Sequence, residues 1–224
     1  REITEKSIAY IKKMAKAEKP FYNYIGLTHF HPPFLVHPDF ENKSKSGVFA
    51  DTVMEVDYNV GEILKAIKDA GIENNTLVIL TGDNSAGAFP VHGVASGEVS
   101  GSNGPWRGGL STAYEGGMRT PAMVRWPGKI PTSKVSDEIF ADLDWYTTIA
   151  EFAGAKTRIP TDRPMDGFSQ ANFLLGKQEK SNRDYVVTFV GTDVWSVKWR
   201  NMKIHFKTAE GTHDKVVGGY TFPQ

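Results

Sequence analysis

The run Leu77-Val-Ile-Leu-Thr-Gly-Asp83-Asn84-Ser85 decides the fold, because a short apolar segment leads directly into an acidic residue and an amide. A continuous apolar run of this kind is typical of a parallel strand that is covered on both faces. In open α/β sheets, ligands bind outside the carboxyl ends of such strands. The stretch therefore predicts a buried strand that carries Asp83 and Asn84 into a ligand-binding crevice.

A long segment rich in Gly, Ser and Ala follows this strand, over residues 85–117. It contains Gly101-Ser-Asn-Gly-Pro-Trp-Arg107-Gly-Gly-Leu110, and it runs into Ser-Thr-Ala-Tyr-Glu115-Gly-Gly-Met-Arg119. Loops of this length inside compact domains are usually functional or disordered. Because successive backbone N–H groups can bind anions, a glycine-rich loop beside an acidic strand end predicts a metal and oxyanion site.

The flanking sequence predicts the elements around this site. Residues 3–16 and 48–70 carry apolar side chains at spacings of three and four, which is typical of helices with one buried face. Residues 21–28 are aromatic and branched like a buried strand, and they lead to His29-Phe-His31-Pro-Pro. The alternation of strands and helices predicts an α/β fold with a doubly wound, mostly parallel sheet.

The carboxyl-terminal part changes character after residues 160–166, which have the composition of a linker. Residues 185–190 and 194–207 are rich in branched and aromatic side chains, and Arg200-Asn201 lies between two such runs. This arrangement predicts antiparallel strands joined by a hairpin turn.

The composition excludes several functional classes. The 26 basic and 26 acidic residues cancel, so charge gives no reason to expect nucleic acid or an anionic membrane as a partner. No apolar stretch is long enough to span a bilayer. The absence of cysteine excludes disulfides, thiolate zinc sites and a cysteine nucleophile within this chain.

Residues 21–130 resemble the second half of a type I sulfatase, of the alkaline-phosphatase-like superfamily. Members of this family carry Asp-Asn-Gly and then a Gly-Gly-Lys-Gly-Thr-x-x-Glu-Gly-Gly-x-Arg run, which the two quoted stretches resemble. The resemblance implies that residues 1–160 are the carboxyl-terminal part of the α/β catalytic domain. It also implies that residues 161–224 begin a small antiparallel α+β subdomain.

Asp83 and Asn84 offer hard oxygen ligands, which suit Ca²⁺ or Mg²⁺. The alternative from the residues alone is a simple turn after the strand, since Asp, Asn and Ser favour turns. The resemblance implies that the pair ligates the divalent cation that polarises the sulfate. It also favours sulfate over phosphate esters, because related phosphatases usually carry His in place of Asn84.

Histidines follow the first predicted strand and could bind a metal or transfer protons. The resemblance implies that His31 contacts the sulfate and protonates the leaving alcohol. His29 is either a further substrate contact or a residue that supports the contacting side chains. His37 has the pattern of an ordinary surface histidine. His92, in the glycine-rich segment, either reaches the substrate or is solvated.

Leu110 departs from the family pattern, because many sulfatases carry a lysine there whose ammonium group binds the sulfate. Arg107 is a candidate replacement, since a guanidinium pairs well with tetrahedral oxyanions. The alternative for Arg107 is a structural ion pair. Glu115 and Arg119 are predicted to be architectural partners.

The nucleophile is missing from this chain. Type I sulfatases use a formylglycine made in a Cys/Ser-x-Pro-x-Arg motif, and no such motif occurs here. The chain begins in a helical pattern without an initiator Met or a signal peptide, so we expect it to be part of a longer protein whose missing half supplies the formylglycine.

The resemblance implies sulfatase activity on a sulfated small molecule or a sulfated carbohydrate, and a periplasmic or secreted location. One alternative is a phosphate or phosphonate ester hydrolase of the same superfamily. The other is a non-catalytic, sulfatase-like protein, which Leu110 and the absent nucleophile motivate.

Overall fold

A computed structural model describes residues 1–17, 19–29, 31–87, 101–110 and 112–207 of the chain. Its helices are α1 (Glu2–Ala15), α2 (Val48–Asp69), α3 (Glu115–Met118), α4 (Asp144–Phe152) and α5 (Ala171–Leu174). Its strands are β1 (Val78–Thr81), β2 (Ala122–Arg125), β3 (Tyr185–Val190), β4 (Asp193–Trp199) and β5 (Met202–His205). None of these helices is both long and apolar enough to cross a bilayer.

The chain forms two compact units, of which the first spans Arg1–Met123 and the second begins at Val124. These units follow from spatial compactness, whereas the predicted domains at 1–160 and 161–224 follow from the sulfatase resemblance. The predicted domain boundary therefore stays a prediction.

The core of the first unit lies between α1 and α2. Ile11, Ile63 and Ile67 are buried at its centre, and partly buried side chains pack around them: Ile8, Phe21, Ile25, Ile72 and Val78. Val78 belongs to β1, so the helix pair covers the strand that leads to Asp83. The helices predicted from the spacing of apolar residues are both confirmed.

The buried face of α2 is polar in its first half, where the sequence predicted an apolar stripe. Asp51, Thr52, Glu55 and Asn59 are each no more than 3% exposed, whereas Val53 is 42% exposed. Glycine at position 71 ends the helix with φ of 71°, and its N–H donates to the Lys68 carbonyl. Acidic residues on a helix with one apolar face are predicted by default to be solvated or to cap the helix, and the structure instead buries Asp51 and Glu55.

The predicted strand over residues 21–28 is not assigned as a strand in the structure. Burial nevertheless alternates along it, since Phe21 and Ile25 face the core while Tyr22 and Tyr24 are 69% and 81% exposed. That alternation is typical of a strand with one covered face. No backbone hydrogen bond joins this segment to another described residue, so it belongs to no sheet within the described part of the chain.

Two small sheets are present in the described residues. β1 and β2 form a two-stranded sheet, and β3, β4 and β5 form an antiparallel sheet in that order. The pairing of Trp199 with Met202 places Arg200 in the turn, with φ of 52°. The predicted antiparallel strands and hairpin turn are thereby confirmed.

A buried ion pair organises the second unit. Asp144, at the start of α4, is fully buried, and its two carboxylate oxygens accept hydrogen bonds from Arg183 at 2.7 and 2.8 Å. The same carboxylate accepts the backbone N–H groups of Ala141 and Phe168. The guanidinium also donates to the Asp166 carbonyl. Because every oxygen has several donors, the desolvated charges are well compensated.

We expect Arg183→Ala to lower the free energy of unfolding by about 3 to 5 kcal/mol, because it leaves the Asp144 carboxylate buried without a counter-charge. Arg163→Ala is the matched control: it breaks an exposed pair with the neighbouring Asp162 at 2.8 Å, and should cost less than about 1 kcal/mol. Urea unfolding followed by tryptophan fluorescence measures both. Equal losses would show that Asp144 does not depend on its partner.

Candidate functional site

Asp83 and Asn84 lie directly after β1 and are both exposed. The Asp83 Oδ1 atom accepts the Asn84 backbone N–H at 2.8 Å, which fixes the carboxylate beside its neighbour. The Asn84 amide nitrogen donates to the Ser85 carbonyl at 2.9 Å. With the amide in this orientation, the Asn84 side-chain oxygen accepts no hydrogen bond from the described residues.

The donor set fits part of a site for a hard cation. A carboxylate and an amide carbonyl are oxygen ligands of the kind that Ca²⁺ and Mg²⁺ prefer. No group of three or more His, Cys, Asp or Glu side chains suited to a metal occurs within the described ranges. Two oxygens fall short of the roughly six to eight that Ca²⁺ takes, so this pair can form only a portion of a complete site.

The glycine-rich segment is anchored on the residues that follow Asn84. The Asn103 side chain accepts the Ala86 N–H at 3.0 Å and donates to the carbonyls of Ala86 and Gly108 at 3.0 and 3.1 Å. The Leu110 N–H also donates to the Ala86 carbonyl at 3.0 Å. These bonds place Leu110, which stands where the resembled pattern has a lysine, close to the strand end that carries Asp83.

Tight backbone packing explains the glycine pair that follows Glu115. A Cβ atom added at Gly116 would lie 2.3 Å from the Gly108 carbonyl oxygen, and one added at Gly117 would lie 2.2 Å from the Thr112 carbonyl oxygen. Neither position has space for a side chain. The Gly116 N–H uses this proximity to donate to the Arg107 carbonyl at 2.8 Å.

Glu115 and Arg119 form the predicted pair, with the Arg119 Nε atom 2.9 Å from the carboxylate. The guanidinium of Arg119 also lies over the Trp106 ring at 3.9 Å.

Arg107 is exposed, and its guanidinium lies 4.3 Å from the centre of the Tyr114 ring. No ion pair of Arg107 is found with another described residue. Arg107 as an anion contact and Arg107 in a structural ion pair both stay predictions.

His29 and His37 contact a buried glutamate on α2. The His29 Nε2 atom lies 3.3 Å from the Glu55 Oε1 atom, and the side chains are 10% and 4% exposed. The His37 backbone N–H donates to Glu55 Oε2 at 2.8 Å. We refer to His29 together with residues 31–37 as the histidine loop.

His31 is exposed in the histidine loop, and its Nδ1 atom lies 2.7 Å from the Pro32 carbonyl oxygen. Aromatic packing connects the loop to the glycine-rich segment, because Phe34 meets Phe49 of α2 with ring centres 5.5 Å apart. A Cβ atom added at Gly101 would lie 3.4 Å from the Phe49 ring and 3.1 Å from Ala86. The structure thereby brings the histidine loop and the loop after Asn84 to the same end of α2.

Asp51 holds the chain just before α2 in a similar way. Its two oxygens accept the backbone N–H groups of Asn42 and Ser44, each at 2.8 Å. The pKa of Asp51 is lowered, first by a hydrogen bond from the Ser44 side chain and then by these backbone donors. Because the folded pKa is depressed, this stabilisation is present above the unfolded pKa and is lost as pH falls through the folded pKa.

Two residues of the site were not predicted from the sequence. The sequence assigned Asn103 no role of its own within a segment expected to be functional or disordered, and it assigned Glu55 a solvated or capping role. The available signal was helical spacing: steps of three and four residues put Glu55 on the same face of α2 as Thr52, Asn59 and Ile63. The structure buries all four. His92 lies outside the described residues.

The sequence profile of the Sulfatase family matches residues 1–155. The chain belongs to the sulfatase family. It is 35% identical to rat steryl-sulfatase over 183 residues, covering 82% of this chain and 31% of that protein. It is 32% identical to dog N-acetylgalactosamine-6-sulfatase over 218 residues, covering 97% of this chain and 40% of that protein.

Solved structures agree with this membership. The PsFucS1 sulfatase from Pseudoalteromonas sp. superposes with a TM-score of 0.82 at 27% identity, covering 97% of this chain and 42% of that one. A protein of glycosaminoglycan metabolism in Bacteroides thetaiotaomicron gives 0.74 at 30% identity, covering 89% and 41%. This sulfatase chain thus has the predicted α/β, alkaline-phosphatase-like fold, and it spans less than half the length of these relatives.

We expect Gly117→Ala to destabilise the protein by about 1 to 3 kcal/mol, because the added methyl group must displace the Thr112 carbonyl. The matched control is Gly61→Ala on α2, where nothing lies within 4 Å of an added Cβ. Alanine there should stabilise the helix by about 0.5 to 1 kcal/mol. Urea unfolding of both variants gives the comparison, and a neutral Gly117→Ala would mean that the loop adjusts freely.

Proposed function

We propose that the complete protein hydrolyses a sulfate monoester, and that this chain supplies part of its cation and oxyanion sites. The observation that carries the proposal is the sulfatase family match over residues 1–155, which includes Asp83 and Asn84 and the glycine-rich loop anchored on Ala86. Every relative named above as a sulfatase supports sulfate over phosphate or phosphonate esters.

Asp83 and Asn84 would hold a Ca²⁺ or Mg²⁺ ion with their free oxygens. When bound, such an ion supplies positive charge that polarises the sulfate. In this proposal the exposed His31 protonates the leaving alcohol and Arg107 contacts the substrate, while His29, which is 10% exposed and faces Glu55, supports the loop that carries His31. His92 keeps its proposed role as a further substrate contact. The formylglycine nucleophile is proposed to come from a part of the protein outside this chain.

A sulfated carbohydrate or a sulfated small molecule is the proposed substrate class. The named relatives include a steryl-sulfatase and an N-acetylgalactosamine-6-sulfatase, so both kinds of leaving alcohol are represented among similar proteins. The balanced charge of the chain gives no electrostatic reason for a nucleic-acid partner. The periplasmic or secreted location stays a prediction from the family.

In the complete protein, we expect Asp83→Ala and Asn84→Ala each to weaken Ca²⁺ binding at least tenfold and to abolish turnover of an aryl sulfate, because each removes one hard oxygen ligand. Asp162→Ala is the control, since this exposed carboxylate pairs only with its neighbour Arg163 in the described residues. Calorimetry measures the Ca²⁺ affinity independently of activity. Unchanged affinity in both variants would remove these residues from the metal site.

The 224-residue chain alone should show no turnover of an aryl sulfate and only weak Ca²⁺ binding. Its described residues offer two suitable oxygens in one place, and Ca²⁺ prefers about six to eight. The same calorimetric titration checks this expectation. Tight, stoichiometric binding by this chain would contradict it.

The loop around Leu110 tests how the sulfate is held. In the complete protein, Leu110→Lys should tighten binding of inorganic sulfate if the loop faces the anion, because a cation is restored near the Asp83 strand end. A charged contact of this kind contributes on the order of 2 to 4 kcal/mol to a transition state. Arg107→Ala should weaken sulfate binding, and Arg107→Lys should weaken it less. Unchanged sulfate affinity and kinetics in all three variants would show that this loop does not touch the anion.

A further inference from the structure

Glu55 is a buried carboxylate that the proposed reaction does not use. It lies in the polar half of the buried face of α2, and its side chain is 4% exposed. Its Oε2 atom accepts the His37 backbone N–H at 2.8 Å, while its Oε1 atom lies 3.3 Å from the His29 Nε2 atom. A carboxylate removed from water in this way must be compensated by such donors.

These two contacts close the histidine loop on α2. One oxygen holds its first residue, His29, and the other holds its last residue, His37. Between them, Phe34 packs against Phe49, one to two turns earlier on the same helix. His31 therefore projects from a loop that is fixed on both sides by one side chain.

The contact with Glu55 also determines which nitrogen of His29 carries a proton. An ionised carboxylate cannot donate, so the 3.3 Å contact between Nε2 and the Glu55 oxygen favours the form of the ring that carries its proton on Nε2. In the neutral ring, Nδ1 then presents a lone pair. This Nδ1 atom is buried and has no hydrogen-bond partner among the described residues.

We propose that Glu55 is a positioning residue for the sulfatase site, which fixes the Nε2-protonated form of His29 and holds the loop that presents His31. Its effect on turnover rests on the proposed function. Its effect on the His29 ring does not, because that follows from the contact between Nε2 and the carboxylate alone.

Glu55→Gln separates the effect of the carboxylate on the His29 proton from its effect in holding the loop. Glutamine has one acceptor oxygen, and the His37 N–H occupies it if the loop closes as before. The amide NH₂ then faces the His29 ring and donates to Nε2, so the proton of the neutral ring moves to Nδ1. The tautomer of His29 should therefore switch, which simple loss of packing would not cause.

The test uses the complete protein with ¹⁵N-labelled histidine, in alkaline solution where imidazoles are neutral. Two-dimensional ¹H–¹⁵N spectra distinguish the two tautomers, and His29→Gln assigns the signals. The parent should show His29 protonated on Nε2, and Glu55→Gln should show it protonated on Nδ1. The kcat for an aryl sulfate should fall about tenfold to a hundredfold in Glu55→Gln, since small displacements of catalytic groups cost this much.

Asp51→Asn is the matched control, because Asp51 is a similarly buried acid one turn earlier on α2 that binds backbone N–H groups of Asn42 and Ser44 instead. It should lower thermal stability as Glu55→Gln does, yet leave both the His29 tautomer and kcat unchanged. An equal loss of kcat in Asp51→Asn would overturn the positioning role. So would a parent protein in which His29 carries its proton on Nδ1.

His29→Gln keeps the proposal testable if Glu55→Gln does not fold. It preserves the bond from His37 to Glu55 but removes the ring, and kcat should fall as in Glu55→Gln if the carboxylate acts through His29. An unchanged kcat would contradict the proposal. Should the parent hydrolyse no sulfate ester, the proposed function fails by itself, and the His29 tautomer in the parent and in Glu55→Gln still decides whether the carboxylate fixes the ring.

Discussion

This structure depends on polar side chains, removed from water, that accept hydrogen bonds from the backbone of its loops. Backbone N–H groups that leave water need partners, and loops lack the ladders of helices and sheets. Asp51 and Glu55 supply these partners before α2, and Asp144 supplies them in the second unit. Asn103 does the same for the glycine-rich segment. Each polar side chain fixes a loop where an apolar core residue could not.

The first unit places its candidate chemistry at the end of α2 where this polar face lies. Apolar residues around Ile63 and Ile67 hold the helix on the core, and the polar half then contacts the loops that carry His29 and His31. The division of one helix face into an apolar and a polar part thus connects the stability of the unit with the geometry of the site. A helix buried only through apolar contacts would not provide hydrogen bonds to those loops.

The sequence predicted the regular elements well where local periodicity decides them. Apolar spacing indicated α1 and α2, and branched residues on either side of Arg200 indicated the hairpin. The strand over residues 21–28 was not observed, because pairing depends on a neighbour that local sequence does not contain. Glu55 was missed for a related reason: an acidic residue on a helix has the same local pattern whether its partner is water or a histidine. Asp83 and Asn84 were placed at the end of β1 as predicted, because a strand end is a local feature.

Residues 21–28 have a practical consequence for handling the chain. Their outward side chains include Tyr22 and Tyr24, and their backbone groups form no hydrogen bonds with other described backbone. An unpaired, aromatic-rich segment of this kind can add to the same segment of another molecule and start intermolecular sheet formation. We therefore expect this segment to lower the solubility of the isolated chain, and a lysine in place of Tyr24 to protect it without touching the core side, where Phe21 and Ile25 pack.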